Sequence, residues 1–80
     1  MINERKGSEK MTDVRAEMSA SVFRIDASAG DEVAAGDALI VLESMKMEIP
    51  VLAGSAGVVK EILVKQGEIV EEGALLARLG

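Results

Sequence analysis

The chain has 80 residues, about half of them apolar, with no Cys, no His and a net charge of −5. That size allows one small folded domain and excludes a core that also encloses a substrate cavity. Without Cys or His there is no disulfide framework, none of the usual zinc or transition-metal ligands and no histidine general base, so no metal and no catalytic residue are expected. Residues 1–15 hold four basic and three acidic groups, leaving five basic against eleven acidic in 16–80. Such an acidic body repels phosphate backbones, and Phe23 is the only aromatic available for base stacking, so nucleic acid is not an expected partner. No apolar run approaches the ~20 residues of a membrane span, and the charged N-terminus lacks a signal-peptide core. A soluble, cytoplasmic protein without a membrane partner is expected.

Residues 1–15 are polar, carry charges of both signs and show no sustained apolar period, which predicts a flexible tail ahead of a folded body over 16–80. Within that tail Met11 is an alternative start, and residues 1–10 read as an appended stretch of open origin. The first strand is expected over 22–25. Gly30 and Gly36 then bracket 31–35, where a helix would have room for barely more than one turn. Strands follow over 38–42, 48–52, 58–64 and Leu75–Leu79, punctuated by Gly54, Gly57, Gly67 and Gly73. Short Val/Ile/Leu runs alternating with glycine turns read as all-β. The glycines lack the spacing of a phosphate cradle and serve as turn formers. Pro50 belongs at an edge or a bulge, because it has no N–H for a central ladder.

An internal repeat sharpens the fold. Shifted by 37 residues, Val22 falls on Val59, Ile25 on Ile62, Gly30 on Gly67, Val33 on Val70, Gly36 on Gly73, Leu39 on Leu76 and Leu42 on Leu79, while Asp31 meets Glu68, an acid for an acid. Half a domain cannot bury its own apolar face, so two copies predict two sheets packed about a pseudo-two-fold axis. The segment from Glu43 to Glu48 belongs to neither copy. It is the link between them, and it is expected at one end of the sandwich with the chain termini at the other.

That link reads Glu43-Ser44-Met45-Lys46-Met47-Glu48 and lies between the apolar runs Ile40-Val41-Leu42 and Ile49-Pro50-Val51-Leu52. A lysine at the tip of a tight hairpin is an address that a second protein can modify. Alone, such a lysine is a solvated charge and a methionine a gap-filling core residue. Alternate residues share a face, so Met45 and Met47 cannot both be buried while the tip stays accessible. This gives at least one of them a recognition role. A lysine must shed its proton to attack an acyl group, and free lysine titrates near ~10.4. Were an acyl group attached there, the base and the activated acyl group would have to come from another protein; what this chain supplies is access.

The octapeptide Glu43-Ser44-Met45-Lys46-Met47-Glu48-Ile49-Pro50 resembles the attachment loop of biotinyl domains, the biotin carboxyl carrier type of the biotinyl/lipoyl-attachment family. Gly57-Val58-Val59-Lys60-Glu61-Ile62-Leu63-Val64 and Gly67-Glu68 resemble that domain's second half, so the similarity covers about residues 16–80. It implies a flattened β-barrel, or barrel-sandwich hybrid, of two four-stranded antiparallel sheets. It further implies covalent biotin on Lys46, flanked by Met45 and Met47 and attached by a biotin protein ligase, with Glu43, Ser44 and Glu48 as candidate ligase contacts. Glu43 and Glu48 read equally well as solubilising charges at strand ends. The domain itself would be non-catalytic, a carrier shuttling carboxylate between the biotin carboxylase and carboxyltransferase of a biotin-dependent carboxylase. Related lipoyl domains have Asp before the lysine and Ala after it. Met on both sides here favours biotin over lipoate.

Two departures from the family pattern stand out. Glu17-Met18-Ser19-Ala20-Ser21 occupies the place of a Met-Pro-Gly type turn. Gly30 to Ser44 carries no extra residues, so the chain resembles carriers that lack a protruding thumb, including small stand-alone biotinylated proteins of actinobacteria. The alternatives left open are a lipoyl carrier of an oxidative decarboxylation complex, an attachment protein accepting either cofactor, and an unmodified sandwich serving as an interaction module.

Overall fold

The computed structural model describes residues 11–80. It contains eight strands: β1 Thr12–Arg15, β2 Ala20–Ile25, β3 Glu32–Val33, β4 Ala38–Ser44, β5 Met47–Leu52, β6 Gly57–Ile62, β7 Ile69–Val70 and β8 Leu75–Leu79. They form two four-stranded antiparallel sheets, ordered β1-β8-β6-β3 and β5-β4-β2-β7. The 37-residue shift carries β1 onto β5, β8 back onto β4, β6 back onto β2 and β3 onto β7. One strand order thus becomes the other, and the expected pseudo-two-fold is present strand by strand.

The symmetry extends to single hydrogen bonds. The Gly30 N–H donates to the Val59 carbonyl at 2.7 Å, and the Gly67 N–H to the Val22 carbonyl at 2.7 Å. The Gly36 N–H reaches the Ala53 carbonyl at 2.8 Å, as the Gly73 N–H reaches that of Ala16. Gly36 and Gly73 hold φ near +90°, at 93° and 90°, a backbone that a Cβ would strain. The acid-for-acid match has a structural reason. An Asp31 carboxylate oxygen accepts the Ser28 N–H at 2.9 Å, and a Glu68 carboxylate oxygen accepts the Lys65 N–H at 3.0 Å. Each closes the same turn.

Between the sheets lies one apolar core. Its most deeply buried side chains are Leu39, Ile40, Leu42, Leu76, Val22 and Val59. Three repeat partners are among them or pack beside them: Val22 with Val59, Leu39 with Leu76, and Leu42 with Leu79. Leu39 and Ile40 are consecutive, yet both are buried in this core. The register of β4 against β5 slips between Ala38 and Ile40, and this bulge lets neighbours face the same way. The matching slip of β8 against β1 does the same for Leu76 and Ala77.

The structure corrects the sequence reading at the N-terminal boundary. Thr12–Arg15, read as part of a flexible tail over 1–15, forms β1 and pairs with β8 from Thr12↔Leu79 to Arg15↔Leu75. Its anchors are sparse, which is why no apolar period shows. Val14, 8% exposed, is the one buried residue of the four. Polar contacts add to it: Arg15 donates to the Gly73 carbonyl at 3.0 Å and pairs with Asp13 at 3.1 Å, while Arg78 pairs with Asp13 at 3.4 Å. Residues 1–10, the remainder of the expected tail, lie outside the described residues. The 31–35 stretch contains no helix; the two-residue β3 occupies it, matched by β7 in the second copy.

Candidate functional site: the β4–β5 hairpin tip

β4 and β5 pair over six registered positions, from Ala38↔Leu52 to Ser44↔Met47, leaving Met45 and Lys46 as a two-residue loop. Both loop residues have positive φ, 55° for Met45 and 66° for Lys46. This is the backbone of a type I′ turn, the loop whose twist matches an antiparallel pair. Asn-Gly usually supplies that turn, and side chains such as Met and Lys are strained there by ~1–2 kcal/mol each. The apolar strands on either side impose it. Leu42 and Ile49 face each other one side of the tip's base, with Leu42 fully in the core and Ile49 packed against it.

Lys46 is exposed, and no described residue forms an ion pair with it. Met45 is 91% exposed and Met47 63% exposed. The sequence argument required that at least one of them leave the core, and both do. Their thioethers therefore flank the lysine in solvent, where packing gives them no role.

Below the tip, Glu43 and Glu48 are paired directly across the strands, Glu43 half-buried and Glu48 exposed. Like charges in register repel modestly. Together they make the hairpin's base acidic. Ser44 is half-buried and pairs with Met47, so it forms the last rung before the loop. Pro50 sits on β5, at the edge of its sheet, as its missing N–H demands.

Two supporting residues were not found from the motif. Ser21 pairs with Glu43, and its hydroxyl donates to the Glu43 carbonyl at 3.4 Å, tying β2 to the base of the hairpin. Arg24, further along β2, is held by Asp26 at 2.7 Å and lies over the Phe23 ring at 5.9 Å. Its hydrogen bond and charge pairing with Asp26 raise its pKa above the ordinary arginine value, with a smaller contribution from Glu48. The available signal was a break in the repeat: Ser21 aligns with Val58, and Arg24 with Glu61.

A groove of about 450 Å³ runs between the edges of β1 and β5, lined in part by Val14, Arg15, Met18, Ile49, Val51 and Leu52. Lys46 does not line it. The chemistry of the tip is thus that of a solvent-facing primary amine at the end of a paired two-strand stalk.

The described residues thus form a two-fold sandwich with an exposed amine at the hairpin between its two repeats. Comparison with known proteins places it further. The family described as "Biotin-requiring enzyme", the biotin/lipoyl family, matches residues 10–79. A biotinylated protein TB7.3 homologue of Mycobacterium leprae is 54% identical over 65 residues, covering 81% of this chain and 92% of that protein. A biotin/lipoyl attachment protein of Bacillus subtilis is 41% identical over 66 residues, covering 82% of this chain and 90% of that protein. Among solved structures, the urea carboxylase of Kluyveromyces lactis superposes with a TM-score of 0.85 at 36% identity, covering 90% of this chain and 6% of that one. The chain belongs to the biotin/lipoyl attachment family.

Proposed function

We propose that Lys46 is the residue that carries biotin and that the domain shuttles carboxylate between the biotin carboxylase and carboxyltransferase of a biotin-dependent carboxylase. One observation carries the reading: a lysine at the tip of a rigid type I′ turn, exposed between two exposed methionines. The donor chemistry fits the cofactor, since a primary amine clear of ion pairs with described residues is what amide formation with a biotinyl group requires. Biotin, when bound, supplies a ureido nitrogen that accepts and releases carboxylate.

The protein's own share of the task is to place the arm. The six β4–β5 pairs hold the attachment point still, so the swing of the arm is set by the lysine side chain and not by a floppy loop. Glu43, Ser44 and Glu48, with Met45 and Met47, form the surface around Lys46 that a biotin protein ligase would have to cover. The ligase supplies the activated acyl group and the base. Tethering on a small domain keeps the arm at high effective concentration near two active sites in turn. The names of relatives support this reading: one is called a biotinylated protein, and another is a carboxylase. With no membrane-spanning helix among the described residues, a cytoplasmic site of action is part of the same proposal.

Intact mass after co-expression with a biotin protein ligase tests the proposal. The wild type gains the mass of one biotinyl group, and Lys46→Arg gains nothing while unfolding at the same denaturant concentration. A wild type that stays unmodified, or a variant that is still modified, sinks the reading. A lipoyl carrier would show the different added mass of lipoate when supplied with a lipoate ligase, and an interaction module would add neither.

A further inference from the structure

The two thioethers beside Lys46 are the most exposed of the described methionines. Met45 and Met47 stand at 91% and 63%, against 45% for Met11 and 37% for Met18. The chain has no Cys to consume an oxidant first. We infer that Met45 and Met47 form an oxidation site, at which a peroxide converts thioether to sulfoxide and makes Lys46 a poorer acceptor. In the step a sulfur lone pair attacks one peroxide oxygen. The S–O bond forms as the O–O bond breaks, and with hydrogen peroxide the second oxygen leaves as water after proton transfer. Sulfur gives up two electrons and the peroxide takes them.

The geometry explains both what changes and what does not. An enzyme that brings its active site to the Lys46 amine must cover the neighbouring turn residues. A thioether enters an apolar cleft with no hydrogen-bond demand. A sulfoxide oxygen is a strong acceptor, and stripping its water without providing a donor is costly. The fold is spared, because neither Met45 nor Met47 belongs to the core. Acceptance by the modifying enzyme and stability of the domain are therefore separable readouts. The inference rests on Lys46 being the biotin acceptor, and the untreated protein checks that first.

The experiment treats the full, unbiotinylated chain with hydrogen peroxide and locates the added oxygens by peptide mass mapping. Initial rates are then measured with biotin protein ligase, biotin and ATP, before and after incubation with methionine sulfoxide reductases. The expected result is a fall of about tenfold in kcat/KM for protein oxidised at the tip. The thermal midpoint should not move, and the reductases should restore the rate. A Met11→Leu/Met18→Leu double variant should be as sensitive as its parent. Tip-oxidised protein that accepts biotin at the untreated rate overturns the inference. So does a loss of rate that follows a loss of fold, or a double variant that has become resistant. Failure of the untreated protein to accept biotin sinks the acceptor reading instead, and this inference with it.

Discussion

The β4–β5 hairpin and the β8–β1 pair are the same structure at two places in the sandwich. Leu42↔Ile49 in the first becomes Leu79↔Thr12 in the second under the 37-residue shift, and both pairs carry the same register slip. The difference is the covalent link. At one site the strands continue into a two-residue turn bearing Lys46; at the other they end side by side. The core beneath the two places is matched, so the core alone does not decide where the proposed acceptor, Lys46, would lie. What decides it is the one point where the chain connects copy to copy.

Substitutions at matched positions test how far the equivalence goes. The largest effects are expected in the core: Leu39→Ala and Leu76→Ala should each cost ~2–5 kcal/mol in denaturant unfolding. A loss under half of one kcal/mol at either position would break the comparison. Next come the left-handed turns. Gly36→Ala and Gly73→Ala meet open space but the wrong φ, so both should cost ~1–2 kcal/mol by the same measurement. Strongly unequal losses would show that the two turns are held differently.

Smaller effects should reveal where the halves diverge. Replacing Met45-Lys46 by Asn-Gly should relieve the turn and stabilise by ~1–2 kcal/mol while abolishing acceptance of biotin, read by thermal melting and intact mass. A neutral or destabilising change would mean that the native turn is not strained. Native-state hydrogen exchange should find the Val14 amide exchanging faster than that of its counterpart Val51. The reason is that β1 has four registered pairs and no closing turn, against six pairs and a turn for β5. Glu48→Gln, which removes one of two facing charges, should stabilise by only a few tenths of a kcal/mol. A loss of stability there would show that the attraction to Arg24 outweighs the repulsion from Glu43.

Much of this was readable from residue order. The repeat carried the two-sheet architecture because core residues and turn glycines recur together, and Leu39 with Leu76 or Gly36 with Gly73 need no neighbours to be recognised. The hairpin was legible from its flanking apolar runs, and so was the exposed place of Lys46 at its tip. β1 was not legible. An edge strand with one inward residue, Val14, has no period to detect, and its other anchors are Arg15 and Asp13, which look like solvated charge. β3 and β7 are two residues each, shorter than any pattern. Ser21 was missed because its contact with Glu43 is set by strand pairing across 22 residues, which no local motif encodes.

The left-handed backbone at Met45 and Lys46 makes the shape of the tip a property of the folded body and not of its eight-residue label. Neither residue would choose that conformation in an unstructured chain, and no Gly or Asn is present to ease it. Cut out and grafted into a flexible linker, the sequence would keep its chemistry and lose its shape. The shape of the tip is thus not portable. It travels only with the sandwich beneath it, and if Lys46 is the acceptor, as proposed, a ligase meets that shape only on a folded domain.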